Sequence, residues 1–308
     1  MKVSLISTVK NAGPFVGEFL ASVAAQTRSP DEVIIVDGGS NDGTLGVLEG
    51  ATGVTLIVEP GANISEGRAA AIKASSGEVI AVSDGDCVLE PDWLEHLLAA
   101  IEGGGDVAMG YYVPIAENFF QVCSAAVHLP QASELREATF MPSSRSVAFR
   151  RSAYDAAGGY PDWLEVGEDM WLDHRFRQSG ADMRLATGAI AHWRVRPTLG
   201  ATWRQYGGYA RGDAIARMYT KRHVLRFGVY GAALLLATNR WGRLAILAGG
   251  IAYAAKPIKR AFGLLRGGSA VQKAGALAGV PAMMLFTDVA KMAGYISGLM
   301  NRRRPEAQ

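Results

Sequence analysis

The chain has 308 residues, 49% apolar and 19% charged, enough to bury one large domain with apolar sequence left over. Its two cysteines, Cys87 and Cys123, exclude a disulfide framework and set a reducing compartment as the expectation. The net charge of +2 hides a division: residues 1–216 hold 16 Lys and Arg against 27 Asp and Glu, whereas 217–308 hold 15 against 2, so the two parts meet different partners. A basic, apolar, aromatic-poor tail suits an anionic membrane surface and argues against nucleic acid, which wants stacking aromatics.

In chain order, Val3–Thr8 reads as a strand; the N-terminus lacks the separate charged region, long apolar core and cleavage site of a signal peptide. Phe15–Gln26 is helical. Glu32–Asp37, with Val33-Ile34-Ile35-Val36, is a continuous apolar strand of the kind found in a parallel sheet covered on both faces. Thr44–Glu49 (helix), Thr55–Glu59 (strand), Ile64–Ser75 (helix), Val79–Ser83 (strand), Pro91–Ile101 (helix) and Val107–Tyr112 (strand) continue the alternation. The pattern is βαβ, hence a doubly wound α/β sheet whose ligands sit beyond the carboxyl ends of the strands. Two strands end in acid. One ends at Asp37, before Gly38-Gly39-Ser40-Asn41-Asp42-Gly43, and the other at Asp84-Gly85-Asp86.

Residues i and i+2 of an extended segment point the same way, so Asp84 and Asp86 can face one spot, where a hard divalent cation would relieve their repulsion. A solvated turn is the plainer reading of that pair, as turn closure is of Asp37. No Walker A lysine and no G-x-G-x-x-G opening the first helix occurs, which removes the fingerprints of a P-loop or a dinucleotide-binding Rossmann domain. Downstream, Glu168-Asp169 opens a helical segment over Asp169–Ser179, His192 stands at a strand end in Ala189–Trp193, and Thr202–His223 is helical with Trp203, Arg204, Gln205, Tyr206, Tyr209 and Arg211.

Thr8-Val9-Lys10-Asn11, Val36-Asp37-Gly38-Gly39-Ser40-Asn41-Asp42-Gly43-Thr44, Ser83-Asp84-Gly85-Asp86, Gly158-Gly159-Tyr160 and Gly167-Glu168-Asp169 stand in the order and spacing of the motifs of family-2 glycosyltransferases. Over about residues 1–215 the chain resembles that family, whose fold is GT-A: Rossmann-like, with a mostly parallel sheet and flanking helices. It departs from many members in having Asp37-Gly38 where they carry two acids. The resemblance implies that Thr8 and Asp37 contact the base of a nucleotide-sugar donor, that Arg68 lies beside the nucleotide, and that Arg211 belongs to a helix over the donor phosphates. Of the acid pair, Asp84 would touch the ribose and Asp86 would hold Mn²⁺ or Mg²⁺, with Asp84 and His192 as further metal ligands. Asp169 would be the base and Glu168 would orient it or the acceptor. The Q-x-x-R-W signature of processive synthases is absent, since Gln205 is followed by Tyr206-Gly207-Gly208-Tyr209.

The tail carries apolar runs over Phe227–Thr238, Leu244–Ala255 and Ala276–Thr287, divided by Asn239–Arg243 and by the basic stretch Lys256–Lys273. Each is about a dozen residues, short of the roughly 20 that span a bilayer. They read as helices lying in the membrane interface, with Lys256, Lys259, Arg260, Arg266 and Arg302-Arg303-Arg304 toward anionic lipid on the cytoplasmic side. A spanning hairpin and soluble capping helices are the alternatives. The chain is therefore expected to be a GT-A domain over 1–222 and an α-helical, membrane-associated region over 223–308. Its expected activity is an inverting, metal-dependent, single transfer of sugar from a nucleotide donor, a UDP-sugar by preference, to a glycan or lipid-linked acceptor hydroxyl at the cytoplasmic face of the membrane. A sugar nucleotidyltransferase and a catalytically silent scaffold of the same fold are the competing readings.

Overall fold

The computed structural model describes residues 1–301; Arg302-Arg303-Arg304 lie outside the described residues. Eight strands form one sheet: β1 (Val3–Val9), β2 (Glu32–Asp37), β3 (Val54–Val58), β4 (Val79–Val82), β5 (Cys87–Leu89), β6 (Val107–Ile115), β7 (Val147–Arg150) and β8 (Met183–Arg194), in the order β3-β2-β1-β4-β7-β6-β8-β5. The half made by β3, β2, β1 and β4 is parallel. Beyond it β7 pairs antiparallel with both β4 and β6, β6 with β8 is parallel, and β8 with β5 antiparallel, so the sheet is mixed. The helices of this part are α1 (Phe15–Ala24), α2 (Thr44–Glu49), α3 (Ile64–Ala74), α4 (Trp93–Glu102), α6 (Arg151–Ala157) and α7 (Glu168–Gln178); α5 (Phe119–His128), which follows β6 in the chain, belongs to a second unit.

Ile6, Ile34, Val36, Ile80 and Val82 from the central strands pack with Val107, Met109, Val147, Phe149, Leu172 and Phe176 in one buried cluster. Burying a residue such as Ile34, only 1% exposed, is worth about 1.5–3 kcal/mol. The continuous apolar runs follow from burial on both faces. α3 begins with a capping box: the Asn63 side chain accepts from Ser65 N and Glu66 N, and Glu66 accepts from Asn63 N, satisfying first-turn donors.

The chain divides into two compact units, Met1–Ile115 with Ala132–Arg194, and Ala116–Gln131 with the chain from Val195 onward. This differs from the single boundary expected at 222. The second unit holds α5, α8 (Leu199–Ile215), α9 (Thr220–Leu236), α10 (Arg240–Leu264) and α11 (Ala270–Met300). Its core joins Val122, Cys123 and Ala126 to Ala254, Ala261, Leu265, Ala276, Val280, Met283 and Met284.

Two expectations for this region are corrected. The helix over Thr202–His223 is two helices, because Arg217 (φ 56°) and Tyr219 (φ 52°) adopt the left-handed conformation that ends a helix. The three dozen-residue runs are longer helices: α10 continues through Lys256, Pro257, Lys259 and Arg260, and α11 runs 31 residues through Pro281. Lys and Arg interrupt apolarity without interrupting a helix, since both are good helix formers. α11 is consequently long and apolar enough to cross a membrane, although 39% of its most apolar window is buried inside the protein.

Candidate active site

The parallel register sets Thr8 opposite Val36 and Val9 opposite Asp37, with Ile6 opposite Val82, so Thr8, Asp37 and Asp84 stand at the carboxyl ends of adjacent strands. Gly85 follows Asp84 because a Cβ there would lie 2.3 Å from Val9 Cγ1. Asp37 is fully buried. Its Oδ1 accepts from Gly39 N (2.8 Å) and Ser40 N (2.7 Å), whereas Oδ2 has no hydrogen-bond partner. The Thr8 and Ser7 hydroxyls are also buried without partners. Buried polar atoms without partners cost free energy, so this corner retains capacity for a ligand's polar edge.

Gly67 lets α3 close onto the end of β1, since a Cβ there would meet Thr8 Cγ2 at 2.8 Å. The approach carries Arg68 into the interior, 2% exposed. Its guanidinium donates to Asp84 Oδ1 (2.7 Å) and to Glu168 Oε1, and lies 5.6 Å from the centroid of the buried Tyr160 ring. One arginine thus ties the first acid of the D-x-D pair to the E-D pair. Gly167, left-handed at φ 91°, starts α7, so Glu168 and Asp169 occupy its first turn. Burial, reinforced by the Asp169 charge and opposed by Arg68, raises the Glu168 carboxyl to about 7. Asp169 is half-buried and accepts from Ser143 Oγ at 3.5 Å. One turn on, burial pushes the Asp173 carboxyl well up, the Asp169 charge adding to it.

Arg145 belongs to this cluster and was missed by sequence reasoning. β7 runs antiparallel to β4 with Val147 opposite Val82, so two residues beyond that pair Arg145 comes opposite Asp84, Nε 3.6 Å from Oδ2. Its guanidinium stacks 4.4 Å from the Trp193 ring centroid and 5.3 Å from that of Tyr112, and Nη1 donates to Ser143 Oγ at 2.8 Å. The only sequence signal is a basic residue in the polar run Ser143–Ser146 ahead of an unrecognised strand; the partner is set by register.

The expected metal set is not assembled. β5 and β8 pair with Val88 opposite His192, and the His192 ring meets Glu90, Nε2 to Oε1 2.5 Å. Asp84 faces Arg68 and Arg145. Among the described residues no group of three His, Cys, Asp or Glu gathers for a metal. Asp86, half-buried beyond Gly85, remains as one carboxylate. That suffices for an ion completed by substrate phosphates and water, the usual habit of Mg²⁺. Charge favours such an ion: Asp84, Asp86, Glu168 and Asp169 stand against Arg68 and Arg145, a negative balance even with Glu168 neutral. Burial, with Asp86 and Asp84 adding, pushes the Cys87 thiol well up and leaves it inert. Arg211 stands on α8 in the second unit.

Residues 4–156 match the profile described as Glycosyl transferase family 2. The chain belongs to the family-2 glycosyltransferases. Glycosyltransferase AglE of Haloferax volcanii is 27% identical over 208 residues, which cover 63% of this chain and 67% of that protein. The structure of S. aureus TarS in complex with UDP superposes with a TM-score of 0.55 at 17% identity, covering 97% of this chain and 90% of that one. Mannosyltransferase PcManGT from Pyrobaculum calidifontis, in complex with GDP-Man and Mn²⁺, gives 0.54 at 18%, covering 97% and 86%. These likenesses are of fold, and the fold of this glycosyltransferase is GT-A.

Proposed function

We propose that this glycosyltransferase carries out an inverting, cation-dependent transfer of one sugar from a nucleoside diphosphate donor to an acceptor hydroxyl. The observation that carries the reading is Arg68, buried and bridging Asp84 to Glu168, which makes donor-site and base-site acids one unit. With Glu168 committed to Arg68, Asp169 is the carboxylate able to take a proton. The acceptor oxygen forms a bond to the anomeric carbon while the bond from that carbon to the diphosphate oxygen breaks. The electron pair leaves with the diphosphate, and the hydroxyl proton passes to Asp169 Oδ2. A base on one face and a leaving group on the other is the requirement of inversion.

The partnerless oxygens of Asp37 and Thr8 would receive the donors of the base. Asp84, fixed by two arginines, is an acceptor for ribose hydroxyls and not a metal ligand. A divalent cation such as Mn²⁺ or Mg²⁺, held by Asp86 and the donor's phosphates, would supply the departing diphosphate with positive charge. Neighbours of the same fold form complexes with UDP and with GDP-Man and Mn²⁺, so both nucleotide classes belong in the test, UDP-sugars first. The test is release of nucleoside diphosphate from a panel of donors, with and without Mn²⁺. Proton NMR of the product should show an inverted anomeric configuration; retention would overturn the mechanism.

A lipid-linked or membrane-proximal acceptor at the cytoplasmic face completes the proposal. Residues 214–287 contain 11 Lys and Arg and no acid. Leu234, Leu235, Trp241, Leu247 and Ile251 are 61–77% exposed, far more apolar surface than a solvated helix pair presents. An anionic bilayer matches both features.

A further inference from the structure

We infer that Arg145 is the residue of this chain that grips the diphosphate of the donor, a second source of positive charge at the leaving group. The inference rests on the donor site proposed above and assigns a role within it to a residue that no motif marks.

The two arginines are held differently. Arg68 is surrounded: its two terminal nitrogens are directed at Glu168 and Asp84, and its plane is over Tyr160. One cation faces two carboxylates at hydrogen-bonding distance, so little of its charge is left for a substrate. Arg145 is held in a different way. Its guanidinium lies over two rings, Trp193 and Tyr112, and aromatic faces orient a guanidinium. Its approach to Asp84 is 3.6 Å, an ion pair longer than a hydrogen bond. Arg145 touches Asp84 on one side, and through Ser143 Oγ it is linked to Asp169 on the other. The transferred sugar and the oxygen it leaves must lie between the nucleotide and the base, which is where this guanidinium sits. A planar fork of donors matches phosphate bidentately. The negative balance of the surrounding acids makes a second cation the condition for admitting a group that carries two or more negative charges.

The chemistry is that of the transfer already written: as the bond between anomeric carbon and phosphate oxygen breaks, the electron pair settles on the terminal phosphate, and Arg145 donates hydrogen bonds to it. Asp84 gives up part of its ion pair with Arg145 and keeps Arg68.

The test is calorimetric binding of three ligands to the full chain in the presence of Mn²⁺: a nucleoside monophosphate, the matching diphosphate, and the diphosphate sugar, taken from whichever of the uridine, guanosine or thymidine series binds the wild type. Arg145→Met keeps the stem against the rings and removes the charge; Arg145→Lys keeps a charge and removes the fork. The expected result is an unchanged monophosphate Kd and a diphosphate Kd weakened about tenfold or more in Arg145→Met, with an intermediate loss in Arg145→Lys. Equal weakening of all three ligands would make Arg145 a structural support of Asp84 and overturn the inference. Loss confined to the diphosphate sugar would make it a reader of the sugar and overturn it too, as would no change with any ligand. If no nucleotide binds even the wild type, the donor-site reading itself fails and this inference with it. Should Arg145→Met fail to fold, Arg145→Lys carries the same comparison.

Discussion

At the scale of the residue, the two acids of the E-D pair have separate tasks because they have separate surroundings. Glu168 is buried against Arg68, whereas Asp169 is half-buried and accepts from the Met170 backbone N–H and from the Ser143 hydroxyl. Asp169→Asn is expected to lower turnover about 10²–10⁴-fold, the worth of a general base, with nucleotide affinity unchanged by calorimetry. Arg68→Met has a different signature. It strands Glu168 and Asp84, and breaking a buried pair from one side costs about 3–5 kcal/mol. The pH sign follows from Glu168, whose folded carboxyl sits at about 7, above its ordinary range. The native chain therefore binds that proton more tightly than the unfolded one, and the contribution to stability, full below the ordinary carboxylate value, is lost as pH rises toward 7. Removing Arg68 raises that carboxyl further. The urea midpoint of Arg68→Met should thus fall short of wild type by more at pH 8 than at pH 5; an equal deficit at both would mean that Glu168 is not what the arginine protects.

At the scale of the element, glycine decides one close contact between helices. In the second unit a Cβ on Gly294 of α11 would lie 2.0 Å from the Gly207 carbonyl oxygen of α8, whereas one on Gly208 meets nothing within 4 Å. Gly294→Ala should cost about 2–3 kcal/mol, since backbone must move. Gly208→Ala should stabilise by about 0.5–1 kcal/mol through helix propensity. Thermal melts of the two variants, shifting in opposite directions, check the helix crossing. Elements with one dominant pattern were legible in the sequence: β2 and α2 fall on Glu32–Asp37 and Thr44–Glu49 as read. β7, four residues between Ser146 and Arg151, is too short to show a period, and α5 was not recognised. β7 matters to the site, since it carries Arg145 to Asp84. His192 shows the complementary limit: its residue type and strand-end position were readable, but its partner Glu90 follows from the pairing of β5 with β8.

At the scale of the whole molecule, an acid-rich sheet domain and an acid-free helical stretch share one chain. If the basic stretch meets lipid, full-length protein should co-sediment with vesicles containing anionic phosphatidylglycerol several-fold better than with phosphatidylcholine alone, and Leu234→Ser with Trp241→Ser should abolish the difference. Equal sedimentation with both lipids would remove the membrane from the account. The donor and base sites stand apart from that question, as they are built within the first unit. Their joint claim is transfer from a nucleotide sugar with Asp169 as base. The measurement that tests it most directly is steady-state release of nucleoside diphosphate by the purified full chain, wild type beside Asp169→Asn and Asp86→Ala, over a donor panel with Mn²⁺. One donor should be turned over by the wild type, Asp169→Asn should lose turnover while still binding that donor, and Asp86→Ala should lose the response to metal. Wild-type turnover in Asp169→Asn would contradict that claim.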